Sequence, residues 1–294
     1  MDGVAVVALA RQFNVPFFTQ VCPDVELRPV DFRDTEAVAA LAAEADVVVD
    51  LVASETPRNF PRIGSQQLFN AVRPHIDLFE ALAAGGSPTR VVFISSGGTI
   101  YGDVDCDRVA ETAPASPTSG YSFSKYMTEE ALRCSSRGGA LSHTILRLSN
   151  PFGPGQVVKN DQGLIPAIMS AVAEDREFQV YGNGSAVRDY LFIADAVKAI
   201  VRTILSPEAA TNQVINVGSG HGASVLDVIA LCEEFLDRKL PLRFRHVESS
   251  VISRSVLDVS KAERLLGWRP ETSLRAGLKA TMRAFRLQEQ GVAA

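Results

Sequence analysis

Short runs rich in β-branched residues alternate with stretches of helical length through the first half of this chain, and no other feature restricts its possible folds as strongly. The runs fall at residues 4–10, 25–30, 47–52, 91–95 and 144–148. A continuous apolar run, unlike an alternating one, belongs to a strand covered on both faces, and such strands separated by helices build a parallel sheet. The helices between them carry recognisable ends. Asp34-Thr35-Glu36 starts an alanine-rich helix reaching Ala45, Gly85-Gly86 closes a helix running from Gln66 to Ala84, and a third begins near Tyr121 and ends by the 135–139 cluster. After Asn150 the spacing loosens. Pro and Gly cluster at 151–155, and shorter elements follow at 179–181, 195–205, 224–238 and 273–290, as expected of a second, smaller α/β lobe partly interwoven with the first. There is no internal repeat and no low-complexity segment.

The 46% hydrophobic content over 294 residues suffices for a large core. A net charge of −5, with Lys and Arg scattered, provides no footprint for a nucleic-acid backbone or an anionic membrane. The run at 4–10 has Asp2 where a secretion signal carries positive charge, so a buried strand is expected there. No run approaches the roughly 20 apolar residues of a membrane helix. Cys22, Cys106, Cys134 and Cys232 form no CxxC pair and have no neighbouring histidine, which speaks against a zinc site or a disulfide framework and for a reducing cytoplasm. No metal is expected. The histidines are isolated and carry no assigned chemistry, and Asp195 is expected to cap the helix that follows it.

Tyr121-Ser122-Phe123-Ser124-Lys125 is the most informative pentad, because a four-residue interval on a helix puts the phenol and the ammonium on one face. A phenol titrating near 10 is a poor base at neutral pH unless a cation favours its phenolate, and Lys125 supplies that cation. By itself this spacing is common on amphipathic helices. Its context is more specific: a strand at 90–95 leads into Ser95-Ser96-Gly97-Gly98-Thr99-Ile100-Tyr101-Gly102, then Thr112-Ala113-Pro114, then the pentad.

That order resembles the extended short-chain dehydrogenase/reductases, the NAD-dependent nucleotide-sugar epimerase and dehydratase family. The likeness continues through Leu146-Arg147-Leu148-Ser149-Asn150-Pro151-Phe152-Gly153, Tyr181-Gly182-Asn183-Gly184-Ser185, Val187-Arg188-Asp189-Tyr190, Asn216-Val217-Gly218-Ser219-Gly220, Val256-Leu257-Asp258 and Leu266-Gly267-Trp268, covering nearly the whole chain. The resemblance implies a Rossmann-like doubly wound parallel sheet in residues 1–150 for the dinucleotide and a substrate-binding lobe in 151–294. It implies NAD as cofactor, with Asp31 and Phe32 at the adenine, Leu51, Val52 and Ala53 along the diphosphate-ribose, Lys125 at the nicotinamide ribose, Pro151 beside the nicotinamide, and Ser95 and Tyr121 as further cofactor contacts. Tyr121, Lys125 and Thr99 would be catalytic, and Ser96, Asn150 and Arg188 would hold a nucleotide-sugar substrate. Several of these residues also have plain structural readings: Asp31 as a strand end, 51–53 as buried strand, Asn150-Pro151 as a turn, and Arg188 as half of a surface pair with Asp189. A homodimer is expected, since relatives often dimerise through a helix bundle.

The chain also departs from the family. Its members open on a strand and a GxxGxxG turn that holds the pyrophosphate. Here 4–10 aligns with the family's second strand, so one βα unit of about thirty residues is missing, which should leave two strands with unpaired backbone beside an apolar gap. A truncated or mis-started chain, or a variant that no longer uses the cofactor, is the corresponding expectation. Ala10 followed by Arg11 replaces the family's ribose-binding acid, a change that leans towards NADP. The family's catalytic hydroxyl aligns with Gly97, leaving Thr99 or Ser96 to supply it. Glu248 stands where a second phosphate-binding arginine is usual, with Arg245 or Arg254 as replacements. Gly98-Thr99 occupy the position of the dehydratases' Asp-Glu pair, and the Cys and His of the 3,5-epimerase/reductases are not apparent. The resemblance therefore implies an NAD(P)-dependent epimerase acting at C4 of a UDP-hexose, or else a catalytically silent relative serving as a binding or scaffold protein.

Overall fold

The computed structural model describes residues 3–53, 55–57, 59–85, 88–156, 163–246 and 252–289. Its main sheet is parallel and four-stranded, with β3 (Val47–Asp50), β4 (Thr89–Ser96), β5 (Leu141–Leu148) and β9 (Gln213–Val217) side by side in that order. Register runs from Val47 opposite Arg90, through Phe93 opposite Ile145, to Thr144 opposite Gln213. Successive side chains of a strand point to opposite faces, so one apolar run feeds two cores. Val91, Phe93 and Ile145 meet Val38 and Ala42 of α2 (Thr35–Ala42), Leu78, Phe79 and Leu82 of α3 (Ser65–Ala84), and Leu132 of α5 (Gly120–Ser135). On the other face Val92 and Leu146 meet Ala196 and Ala199 of α7 (Ile193–Leu205), and Ala262 and Leu266 of α10 (Ser260–Leu266). This is the helix-on-both-faces arrangement that the apolar runs require.

β1 (Val7–Ala10) and β2 (Glu26–Pro29) form a separate two-stranded parallel sheet, joined by α1 (Val15–Val21). Among the described residues it shares no strand pairing with the main sheet, so β1 pairs only with β2 and β3 only with β4. The expectation of a buried strand at 4–10 is corrected here. Only Val7–Ala10 is extended, and Val7 stays 50% exposed, because one paired edge leaves it without the cover that a central strand receives. The helix expected to reach Ala45 ends at Ala42, whereas Asp34 caps it as expected, its carboxylate accepting the Ala37 N–H at 3.2 Å.

The second lobe is organised around β8 (Val187–Phe192), which pairs with β6 (Asn150–Phe152), β10 (Gly222–Ser224) and β12 (Arg254–Ser255). A smaller pair joins β7 (Phe178–Tyr181) to β11 (Leu242–Arg245). Residues of α6 (Leu164–Ala173), α9 (Val225–Leu236) and α11 (Leu274–Glu289) close a core around Phe152, Ile168, Tyr190 and Leu278. Because β9 belongs to the main sheet and α7 and α10 pack on it, the chain crosses between the two bodies repeatedly. No helix among the described residues is long and apolar enough to cross a membrane.

Candidate active site

The site forms at the carboxyl ends of β3, β4 and β5, where parallel α/β sheets open their crevices. The N-terminus of α5 reaches this edge in a closely determined position. Ser119 caps it in a capping box with Ser122, satisfying helix N–H groups that would otherwise lack partners. The next residue must be glycine, because a Cβ on Gly120 would lie 2.3 Å from the ring of buried Phe60. The Tyr121 N–H donates to the Phe60 carbonyl at 3.1 Å. The loop after β3 thus clamps the first turn of the helix and fixes where the phenol points.

Tyr121 and Lys125 face one cleft, together with Val52, Ala53, Glu55, His75 and Ser124. Of the nearby hydroxyls, that of Ser96 is close enough to act on the Tyr121 phenol, and it lies 2.9 Å from that of Thr99. Lys125 is buried; its Nζ donates to the carbonyls of Val52 at 3.2 Å and Ile94 at 3.0 Å and sits 4.7 Å above the Phe93 ring. Burial pushes the Tyr121 phenol above its ordinary value, and the Ser96 hydrogen bond opposes the rise. Burial pushes the Lys125 ammonium down, against support from the Asp50 and Glu129 carboxylates. Burial alone therefore disfavours the charged form of each group.

Both hydroxyls considered for the family's donor, Thr99 and Ser96, are present and lie one hydrogen bond apart, and Ser96 is the one that acts on the phenol's ionisation. The vacancy at Gly97 has a steric cause: a Cβ there would come within 2.6 Å of Leu257 and 2.8 Å of the Arg147 carbonyl oxygen. No side chain fits without a shift of the backbone. Gly98 faces the Asn150 amide, which donates to the Asp189 carbonyl at 3.0 Å.

The residues expected around a cofactor divide into two groups. Val52 and Ala53 line the cleft beside Lys125, and the Ser95 hydroxyl is buried without a hydrogen-bond partner close by. Pro151 is exposed on β6. These fit the nicotinamide-ribose end of a dinucleotide. At the other end Asp31 is gripped by Arg33, whose fork and backbone N–H hold its carboxyl far below the usual range. Phe32 packs at 4.8 Å from the His75 ring, joining the core, and Leu51 is 63% exposed.

Arg188 is half-buried and donates to the Val187 carbonyl at 2.8 Å, so the surface pair with Asp189 does not form. Asp189 is instead fully buried and accepts from the Ser219 N–H and hydroxyl and from the Gly220 and Leu257 N–H groups, tying two segments to β8. Asp195 is corrected as well. It lies inside the first turn of α7 and accepts the N–H groups of Glu271 and Thr272, anchoring a distant loop and leaving its own helix uncapped. Arg254 donates to the Asp107 carbonyl at 3.2 Å, and Arg245 lies on the exposed strand β11. Glu248 is outside the described residues.

The histidines are where sequence reading missed most. His75 is buried in α3, with Nδ1 2.6 Å from the carboxylate of buried Asp50. The available signal was an aspartate ending an apolar strand run, a position where a lone charge needs a partner. Behind α5, Glu129 and Arg147 make a buried two-point ion pair, and the guanidinium lies 4.9 Å over the ring of Tyr101. The Tyr101 hydroxyl donates to Asn216 at 2.7 Å.

A parallel α/β sheet covered by helices on both faces, with a tyrosine, a lysine and serine hydroxyls at its carboxyl edge, defines a Rossmann-like fold of the dinucleotide-binding kind. More particularly, the chain belongs to the NAD dependent epimerase/dehydratase family, which matches residues 2–218. Its relatives include a UDP-glucose 4-epimerase of Bacillus subtilis, 28% identical over 272 residues, covering 85% of this chain and 79% of the relative. A dTDP-4-dehydro-6-deoxyglucose reductase of Escherichia coli is 28% identical over 239 residues, covering 81% and 74%. Among solved structures, a UDP-glucose 4-epimerase of Thermotoga maritima with UDP-glucose superposes with a TM-score of 0.86 at 26% identity, covering 98% of this chain and 93% of that one. NAD is the cofactor of the family.

Proposed function

We propose that this chain interconverts nucleotide sugars by inverting a hydroxyl-bearing carbon, C4 of a UDP-hexose. The observation that carries the reading is that Tyr121 and Lys125 line one cleft, with the Ser96 hydroxyl acting on the phenol. Tyr121, as phenolate, removes the proton from the sugar hydroxyl, and Ser96, backed by Thr99, hydrogen-bonds the same oxygen. Bound NAD supplies the hydride acceptor and later the donor. Lys125 would stabilise the phenolate and, with Ser95, Val52 and Ala53, would hold the ribose of bound NAD, and Pro151 would lie beside its nicotinamide. Arg188 and Asn150 take the nucleotide diphosphate, a task suited to a planar guanidinium. The ketone so formed turns over and is reduced on its other face, returning the proton through Tyr121. Gly98, where dehydratases carry an acid, argues against elimination.

The direct test is to follow UDP-glucose and UDP-galactose, or their N-acetyl forms, with added NAD. Interconversion without net cofactor consumption is expected; stoichiometric reduction of a keto-sugar would make the chain a reductase instead. Tyr121→Phe is expected to abolish turnover with the fold intact, and undiminished activity would remove Tyr121 from the mechanism. A second reading, a silent relative acting as a binding protein, is favoured by one observation: Asp31 and Phe32 are engaged within the protein. Saturable quenching or enhancement of NAD(P)H fluorescence by the chain is expected on the first reading and absent on the second.

A further inference from the structure

The buried Asp50–His75 pair lies outside every role assigned above, yet it is built into the wall behind Lys125. Asp50 ends β3, is 3% exposed, and divides its oxygens between two partners: one faces His75 Nδ1 at 2.6 Å, and the other accepts the Val52 N–H at 3.0 Å. Val52 is also the residue whose carbonyl accepts from Lys125 Nζ. One carboxylate therefore fixes a peptide segment whose N–H it holds and whose carbonyl holds the lysine. Its charge also reaches the ammonium directly, as the largest support against desolvation. Burial alone would push the Asp50 carboxyl up, but the charges of His75 and Lys125 keep it below its ordinary value.

The other titratable groups around Lys125 are accounted for. Tyr121 and Glu129 share its helix, Glu129 is committed to Arg147 of β5, and Glu55 lines the cleft from the loop after β3 while accepting from Gln67. From α3 the facing group is His75, set among the rings of Phe32, Phe79 and Phe93. A carboxylate so enclosed needs the imidazole for orientation, since an unpaired buried charge would be expelled or protonated.

We propose that Asp50, oriented by His75, is a positioning residue for the Tyr121–Lys125 pair, keeping the lysine charged and in place so that the phenol can ionise. The proposal rests on the epimerase reading for its catalytic meaning, but its physical content can be read without turnover. Phenolate absorbance of the full chain is titrated with pH, and the Tyr121 contribution is isolated by subtracting a Tyr121→Phe curve in each background. Asp50→Asn is expected to raise the Tyr121 midpoint by about one pH unit, a tenfold loss of phenolate at a given pH. In active enzyme the rising limb of kcat against pH should move by the same amount with KM unchanged. A folded Asp50→Asn protein with the wild-type midpoint overturns the proposal.

Should Asp50→Asn fail to fold, the histidine decides. His75→Gln keeps a donor for Asp50 and is expected to keep the midpoint, whereas His75→Leu should raise it; equal midpoints in the two variants overturn the proposal. If Tyr121→Phe proves fully active, the epimerase reading fails while the titration still reports whether Asp50 acts on Tyr121.

Discussion

At the scale of single residues, chemistry followed spacing where one helix carried both groups, and it depended on neighbours elsewhere. Tyr121 and Lys125 were legible because an interval of four on a helix needs no tertiary information. The choice between Ser96 and Thr99 was not, since it turns on how the β4–α4 corner (α4 being Gly97–Ile100) packs against Leu257 and Arg147. Ser96→Ala is expected to lower kcat about a hundredfold, the cost of one preorganised hydrogen-bond donor, with Thr99→Val costing closer to tenfold. Steady-state rates on a UDP-hexose check the order, and a larger loss at Thr99 would reverse the assignment. Glu129→Gln leaves Arg147 charged in a dry site, so a loss of about 3–5 kcal/mol in urea unfolding is expected, with no effect requiring contact with substrate.

Among elements, α5 matters most, because its N-terminus presents the tyrosine. Its start was readable to within a residue, whereas the cap Ser119, the Gly120–Phe60 contact and the loop that makes it were not, as they join segments about sixty positions apart. Ser119→Ala is expected to cost about 1 kcal/mol, a typical N-cap loss, and to lower Tm by a few degrees. β1 shows the opposite failure. Seven apolar residues suggested a buried strand, but burial is conferred by neighbours, and β1 pairs along one edge only. Asp195 likewise fits a cap by sequence, yet its carboxylate was claimed by two N–H groups near residue 271.

Over the whole molecule, pH should act through groups buried in the neutral form. Burial, with Arg133 nearby, pushes His143 down to about 4. Its folded value lies below its unfolded one near 6.5, so the unfolded chain binds the proton first; stability is full above about 6.5 and is lost as pH falls towards 4. The loss is of order 2 kcal/mol, measurable by denaturant unfolding at pH 7.5 and 5, and His143→Leu should flatten the dependence. What the sequence determined by itself was periodic and local: apolar runs that demand a parallel sheet covered on both faces, helix ends marked by Asp34 and Gly85, and a phenol and ammonium on one helical face. What tertiary structure decided was partnership: that Glu129 pairs with Arg147, that Asp189 holds Ser219, Gly220 and Leu257, and that Asp50 binds His75. Periodicity is written in neighbouring residues, whereas the partner of a buried charge is set by which segments the fold brings within about 3 Å, and no local pattern carries that distance.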